Sequence, residues 1–193
     1  MMEQMQADTI ARQPAIGTAQ PARFFDDGIS WPELHRLAAL WQAKRRGRFM
    51  PARSDFDPLE LKPWLGWLSL IRVVDGGADF VFAVYGTSIA WNSGQELQGK
   101  TTDALPAALR LPIEESYRLV CHLRRPLFSA IIVRADGGRR VVMERAILPL
   151  SCDGQTVDRL LVGLGRHEID DDDVADYRRS LQGCDVTVAL VDP

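Results

Sequence analysis

The clearest alternation of apolar and polar positions lies in residues 30–46, SWPELHRLAALWQAKRR. Apolar side chains recur there with the 3.6-residue period of an α-helix and form one stripe. Pro32 suits the first turn, Gly47 favours an end, and Ser30 with Glu33 fits a capping box. The stripe consists of Trp31, Leu34, Leu37, Ala38 and Trp41. A helix of this kind has to pack on an apolar surface.

Five further stretches have the composition of β-strands and are separated by turn signals. Two precede and three follow residues 87–124, whose proline-punctuated pattern is typical of short helices. Strands that are neighbours in sequence usually pair, so the pattern predicts an α+β fold with one antiparallel sheet of five strands and helices on one face. Several strands are apolar at successive positions, which indicates that parts of both faces are covered. The second face is then covered by the helix of residues 30–46, or by a partner subunit.

The two ends of the chain have other compositions. Residues 1–28 are rich in Gln, Ala and Pro without periodicity, and we expect a disordered tail there. The folded domain is predicted at residues 29–168. Within residues 169–193, an acidic start and Gly183 as a stop predict a C-terminal helix. The last apolar run, residues 185–191, is either a sixth strand or an ordered tail.

Composition and charge limit the classes of function. The 193-residue chain has 46% hydrophobic residues, which is enough for one domain with a core. Its net charge of -3 lacks the basic excess that phosphate contacts favour, so nucleic acid is not an expected partner. No apolar run reaches the length of a signal peptide or of a membrane span. We therefore expect a cytoplasmic protein with reduced cysteines and no membrane span.

The stretch MPARSDFDP, residues 50–58, places one arginine and two aspartates on alternate positions between two prolines. In an extended chain Arg53, Asp55 and Asp57 project to the same side, where their charges meet or the arginine meets carbonyl groups. Asp57 and Glu60 also fit a helix start with Pro58 in the first turn. A metal site needs more oxygen ligands than this stretch supplies, so we interpret the three residues as a structural latch.

Five segments, in this order along the chain, resemble the bacterial PAS-type family, in particular the single-domain PAS proteins common in alphaproteobacteria. They are MPARSDFDP, VYGTSIAWNSGQELQGK, RRPL, MERAILPLSCDG and VDRLLVG. The resemblance covers roughly residues 31–168 and implies a five-stranded antiparallel sheet in the order 2-1-5-4-3, with helices cupping one face. The chain departs from the family pattern at Ala83, where arginine is frequent, and at Gln98, where threonine is frequent. A polar ligand held by that arginine is therefore not implied here.

The resemblance raises the question of a cofactor. The cysteine helix motif of the photoactive flavin domains is absent. Haem ligation would need a histidine on the helix before the third strand, and His122 near that helix end is a weak signal, favourable there without haem. His35, His122 and His167 form no ligand-spaced pair, so zinc and other metal sites are not expected. We expect neither haem nor flavin, and the sequence names no other cofactor.

Aromatic and aliphatic residues give the best signal for a ligand pocket. Phe80 and Phe82 share one face of a predicted strand, and Trp91 follows in a helical segment. In a cupped sheet they would line a pocket together with Ile131, Val133 and Met143. The same spacing is also typical of plain core packing.

These observations predict a module without catalytic activity. We expect a PAS sensory or regulatory protein that binds a small apolar ligand, a protein partner, or both. The residues outside the predicted domain are too few for an output domain, so the expected output is regulation in trans. The alternative is an adaptor or dimerisation module with a fully packed core and no ligand. A homodimer through the helix of residues 30–46 is predicted because the apolar stripe needs a surface.

Overall fold

The computed structural model describes residues 31–134, 140–165, 178 and 186–191. The helices are α1 (Pro32–Arg45), α2 (Thr87–Ser93) and α3 (Ala107–Leu123), and the strands are β1 (Leu68–Val74), β2 (Asp79–Tyr85), β3 (Leu127–Arg134), β4 (Arg140–Leu150), β5 (Arg159–Leu164) and β6 (Val186–Val191). All neighbouring strands are antiparallel, in the order β2-β1-β5-β4-β3-β6. The first five strands confirm the predicted α+β fold and its 2-1-5-4-3 order. The sixth strand lies beside β3 and answers the open question about residues 185–191.

Helix α1 covers the face of the sheet opposite α2 and α3. Leu34 and Leu37 are fully buried, and both side chains lie against Gly163 of β5. The indole Nε1 of Trp41 donates to the carbonyl of Pro149, 2.7 Å away. The sheet is therefore the middle layer of three. Because the apolar stripe already packs on the chain's own sheet, it does not need a partner subunit, and the homodimer through this helix stays a prediction.

The start of α1 differs from the predicted capping box. The N-cap residue is Trp31, and its side chain makes no cap hydrogen bond. Glu33 forms an ion pair with Arg36, so it is not used as a cap. The backbone N–H of Trp31 donates to Glu144 Oε2 at 2.9 Å, a contact across 113 positions of sequence. A carboxylate on β4 therefore satisfies the backbone donor at the start of α1.

The predicted latch does not have the extended geometry expected from its alternation. Arg53–Asp55 forms a turn of 3-10 helix, which turns these side chains away from a common side. The Arg53 guanidinium donates to the carbonyl of Phe56 at 2.9 Å, one of the two contacts expected for it. Asp55 accepts from Arg48 and from the backbone N–H of Ala52, both at 2.6 Å. The expected extended geometry was therefore wrong, because the local turn replaces it, and of the two alternatives for Arg53 the contact with a carbonyl group is the one found.

Asp57 does act as the predicted cap. Its Oδ1 accepts from the N–H of Leu59 at 2.8 Å, and Glu60 Oε2 accepts from the N–H of Asp57 at 3.0 Å. Residues 58–61 form turns and not the expected short helix. The segment is tied to the rest of the chain where the N–H of Ser151 donates to the carbonyl of Pro51. Its role as a structural latch stays a prediction.

Two expected features lie largely outside the described residues. These are the tail at residues 1–28 and the C-terminal helix predicted within residues 169–193. Of the segment between β5 and β6 that would contain this helix, residue Arg178 is described, and it is helical. Among the helices that are described, none has the length and apolar character needed to cross a membrane.

Candidate functional site

A cavity of ≈ 80 Å³ lies between the inner face of the sheet and the two helices α2 and α3. Side chains from five strands form its floor. They are Ser69, Phe82, Ile131, Met143, Arg145, Val162 and Leu164. Because side chains alternate across a strand, Met143 and Arg145 of β4 both face this cavity, whereas Glu144 between them reaches α1 on the other face. Strand β4 thus contributes side chains to the cavity on one face of the sheet and to the contact with α1 on the other.

The two helices form the roof of the cavity. Leu109, Ile113 and Tyr117 stand four positions apart on α3, so they form one stripe along the helix and all three line the cavity. From α2, Ile89, Asn92 and Ser93 contribute. The lining is thus mainly aromatic and aliphatic, with a few polar groups, which is the usual composition of a small-molecule site.

The structure brings together three of the six residues predicted for a pocket. Phe82, Ile131 and Met143 line the cavity. Phe80 lies on the same face but packs in the core, with its ring edge-on to Tyr117 at 5.2 Å between centroids. The side chain of Val133 lies outside the described residues.

Trp91 was wrongly placed in the pocket. Its side chain is 68% exposed and does not line the cavity. The reason is the helical period: Trp91 follows the inward-facing Ile89 by two positions, about 200° around α2. Outside, the guanidinium of Arg178 lies over the Trp91 ring at 5.8 Å. Arg178 also donates to the carbonyls of Trp91 and Asn92.

The cavity wall also contains a charged residue that was not among the predicted pocket residues, Arg145, which is only 2% exposed. Its Nε donates to Ser129 Oγ at 3.2 Å, and its Nη2 donates to Ser116 Oγ at 3.3 Å. Ser129 lies directly opposite Arg145 on the neighbouring strand β3. The signal was present in the sequence, since Glu144 and Arg145 interrupt an otherwise apolar strand.

The position of α2 depends on a close approach between two glycines. The carbonyl of Gly66 accepts from the N–H groups of Ser88 and Ile89 at 3.0 and 3.1 Å, which satisfies the first turn of α2. A Cβ on Gly86 would lie 2.2 Å from that carbonyl oxygen. Gly86 thus lets α2 begin directly after β2, where it closes one side of the cavity.

The two tyrosines of the cavity are neutral hydrogen-bonding groups. Burial raises the pKa of Tyr117 to about 12, although the nearby charge of Arg145 opposes the shift. Burial also raises the pKa of Tyr85, whose hydroxyl lies 3.3 Å from Ser93 Oγ. Both phenols therefore keep their proton at neutral pH.

The raised pKa of Tyr117 predicts a loss of stability in alkali. An unfolded chain loses this proton near the ordinary pKa of about 10, whereas the folded chain keeps it to about 12. The stabilisation is complete below pH 10 and disappears as the pH rises to 12. We expect the free energy of unfolding to fall by ~2 to 3 kcal/mol more in the wild type than in Tyr117→Phe over this range. Urea denaturation at pH 8 to 12 measures the difference, and parallel curves for the two proteins would contradict it.

The histidine and the cysteine near the end of α3, which were candidates for haem ligation or for a reactive thiol, do not line the cavity. His122 is exposed near the end of α3 and does not line the cavity. Cys121 beside it is partly buried, and burial raises the pKa of its thiol to about 11, which disfavours a reactive thiolate. Within the described ranges, no group of three or more His, Cys, Asp or Glu residues is arranged to hold a metal ion.

Comparison with known proteins adds one finding. A family model described as a PAS domain matches residues 30–164, which is more than half of the chain and includes the sheet from β1 to β5 and all the elements that line the cavity. No characterised relative matched the chain.

Proposed function

Because the chain belongs to the PAS domain family, we propose that it is a non-catalytic sensory or regulatory module that takes a small ligand into its cavity and acts in trans by contact with another protein. PAS domains are in general sensory modules without catalytic activity. The observation that carries the ligand part of the proposal is the ≈ 80 Å³ cavity between the sheet and the helices α2 and α3.

The cavity favours a ligand over the alternative of a packed adaptor domain. Protein interiors are densely packed, and voids larger than a water molecule are few and destabilising. Here the void lies among Phe82, Ile131, Val162 and the stripe of α3, where larger side chains would fill it. A fully packed core does not account for this space, whereas a bound small molecule does.

The contact with another protein is the second part of the proposal. Its support is that α2 lines the cavity with Ile89 and presents the exposed Trp91 to the outside. Aromatic side chains of this kind are enriched in protein interfaces. The narrower relationship to single-domain PAS proteins of alphaproteobacteria rests on the sequence segments quoted above.

A cavity-filling substitution tests the ligand part of the proposal. Native and denaturing mass spectrometry of the purified full chain would show an adduct that survives only in the native state. Ile113→Phe places a ring in the cavity, so we expect the adduct to be lost and the melting temperature to stay unchanged or rise. Val84→Phe adds the same ring at an exposed position and should keep the adduct.

A fully packed core gives the opposite pattern. No adduct would be found in the wild type, and Ile113→Phe would overpack the core and cost about 1 to 3 kcal/mol of stability. That pair of results would refute ligand binding and leave the adaptor function.

A further inference from the structure

The C-terminal ends of α1 and α3 meet at an exposed aromatic side chain. Phe49 follows the end of α1 and is 55% exposed, and the guanidinium of Arg124, at the end of α3, lies over its ring at 5.3 Å. Three further exposed arginines lie beside these two residues in sequence. We define the basic surface as Arg46, Arg48, Phe49, Arg124 and Arg125.

Both helices end with an arginine in the left-handed backbone conformation. Arg46 is the C-cap of α1 with a φ of 48°, and Arg124 is the C-cap of α3 with a φ of 54°. Glycine is the usual residue in this conformation at a helix end, because it has no Cβ that clashes with the backbone. Two arginines in a conformation that favours glycine indicate that their side chains have a role.

The end of α1 does not need the side chain of Arg46. Arg48 donates to the carbonyls of Lys44 and Arg45 at 3.1 and 3.2 Å, which satisfies acceptors in the last turn. Lys44 and Arg45 also lie in that turn, where their charges interact favourably with the helix dipole. The usual functions of a basic residue at a helix end are therefore filled by the neighbours of Arg46.

The side chain of Arg124 is directed away from its own helix. Its guanidinium lies over the ring of Phe49, and Nη1 donates to the carbonyl of Gln155 at 3.5 Å. A guanidinium that stacks on an aromatic ring does so with its face, whereas its five N–H groups lie around the edge. Donors of Arg124 therefore remain accessible for an acceptor from outside.

The basic surface has an excess of positive charge. Arg48 is balanced by Asp55, with 2.6 Å between Nη2 and Oδ2. In the part of the chain that the structure describes, Arg46, Arg124 and Arg125 take part in no ion pair. Three exposed positive charges thus lie around one exposed aromatic ring.

We propose that the basic surface binds an acidic segment of a partner protein, with carboxylates on the guanidinium groups and an apolar side chain on Phe49. This inference rests on the proposed function, because it names the chemistry of a partner through which the module acts in trans. A guanidinium matches the planar geometry of a carboxylate and binds it with paired hydrogen bonds. Arginine and aromatic side chains are also the residues enriched in protein interfaces.

The surroundings favour a short acidic segment over an extended anionic surface. The whole chain has a net charge of -3, so the rest of the protein is repelled by acidic lipids or by DNA. Acidic residues also adjoin the basic surface. Asp55 contacts Arg48, and Asp153 lies two positions before Gln155, whose carbonyl Arg124 contacts. Hydrogen bonds from backbone N–H groups hold the pKa of Asp153 well below its usual range, so it stays charged at neutral pH.

Fluorescence anisotropy of the full chain with two labelled peptides tests this proposal. One peptide repeats the sequence Asp-Asp-Leu, and the other has asparagine in place of every aspartate. Their side chains have nearly the same shape, so the difference in affinity reports the carboxylates. We expect the aspartate peptide to bind at least tenfold more tightly, with an affinity that falls as salt is added. Equal affinities, or no binding of the aspartate peptide at about 1 mM, would overturn the proposal.

A double glycine variant removes the charges without disturbing the backbone. Arg46→Gly with Arg124→Gly keeps the left-handed conformation, so we expect the domain to stay folded and the aspartate peptide to bind at least tenfold more weakly. The matched control is Arg36→Gln with Arg110→Gln, which removes two exposed charges near the starts of the same helices. Its affinity should stay within twofold of the wild type. Unchanged binding in the glycine variant, with folding checked by circular dichroism, would show that the two arginines do not bind the segment.

Other anionic partners are tested with vesicles of phosphatidylcholine and phosphatidylserine and with duplex DNA. If either binds more tightly than the aspartate peptide, the acidic segment is the wrong partner. The native adduct in the cavity is a separate measurement. If the adduct is found and the aspartate peptide does not bind, this inference fails and the ligand part of the proposed function stands. If the peptide binds as expected and no adduct is found, the inference stands and the ligand part fails.

Discussion

Replacement of Gly86 by alanine is expected to lower the free energy of unfolding by about 3 kcal/mol or more, or to prevent folding. The added Cβ would lie 2.2 Å from the Gly66 oxygen, 2.6 Å from the Gly66 carbonyl carbon and 2.8 Å from the Leu68 oxygen. All three are backbone atoms, so no side chain can rotate to relieve the overlap. A shift of the Gly66 backbone would also weaken the two hydrogen bonds that start α2.

The matched control for this substitution is Gly99→Ala. Gly99 has a φ of +80°, and a Cβ there would meet nothing within 4 Å. Alanine at this position therefore introduces only the strain of the left-handed conformation, about 1 to 2 kcal/mol. Urea denaturation followed by circular dichroism compares the two variants. Equal stability of Gly86→Ala and wild type would show that the close contact between Gly86 and the Gly66 carbonyl does not hold α2 in place.

Trp41→Ala should destabilise the chain by about 3 to 5 kcal/mol, the cost of removing a large buried side chain. Trp41 is 2% exposed on the inner side of α1, and its indole donates to the Pro149 carbonyl. If α1 is an integral third layer, the variant should lose stability in one cooperative transition. Trp41→Phe keeps most of the packing and loses the hydrogen bond, so we expect a cost of only about 1 to 2 kcal/mol.

Urea unfolding of the three proteins, followed by both far-ultraviolet circular dichroism and tryptophan fluorescence, measures these differences. A loss below 1 kcal/mol in Trp41→Ala would mean that α1 contributes little to the folded domain. Two separate transitions would mean that the helix unfolds independently of the sheet. Either result would contradict the three-layer description.

Local sequence patterns were sufficient to predict most of the helices and strands of the fold. The apolar stripe of residues 30–46 predicted a helix that packs on a sheet face, and α1 does so. The β-strand composition of five segments and the turn signals between them predicted five antiparallel strands, but their order came from the resemblance to PAS proteins. The start of α1 was not predictable, because the N–H of Trp31 binds Glu144, 113 positions later. No local pattern carries such a contact.

The cavity residues that were predicted correctly lie on strands, where side chains alternate between the two faces of the sheet. Phe82, Ile131 and Met143 lie on the inner face of the sheet because strand side chains alternate, and all three line the cavity. Trp91 was misplaced because its angular position around α2, about 200° from the inward-facing Ile89, was not considered. Arg145 was missed because a charged residue inside an apolar strand was treated as part of the core pattern.

Arg178 connects the C-terminal part of the chain to the same helix that closes the cavity. It donates to the carbonyls at the end of α2, whose residues Asn92 and Ser93 line the cavity from within. A ligand of the kind proposed would therefore contact the inner side of the same short helix on which Arg178 docks from outside. Thermodynamic linkage requires that any ligand which changes the docking equilibrium has its own affinity changed by docking to the same degree. By this reciprocity, truncation before residue 178 would change the binding constant of any molecule whose binding shifts the docking of Arg178 on α2.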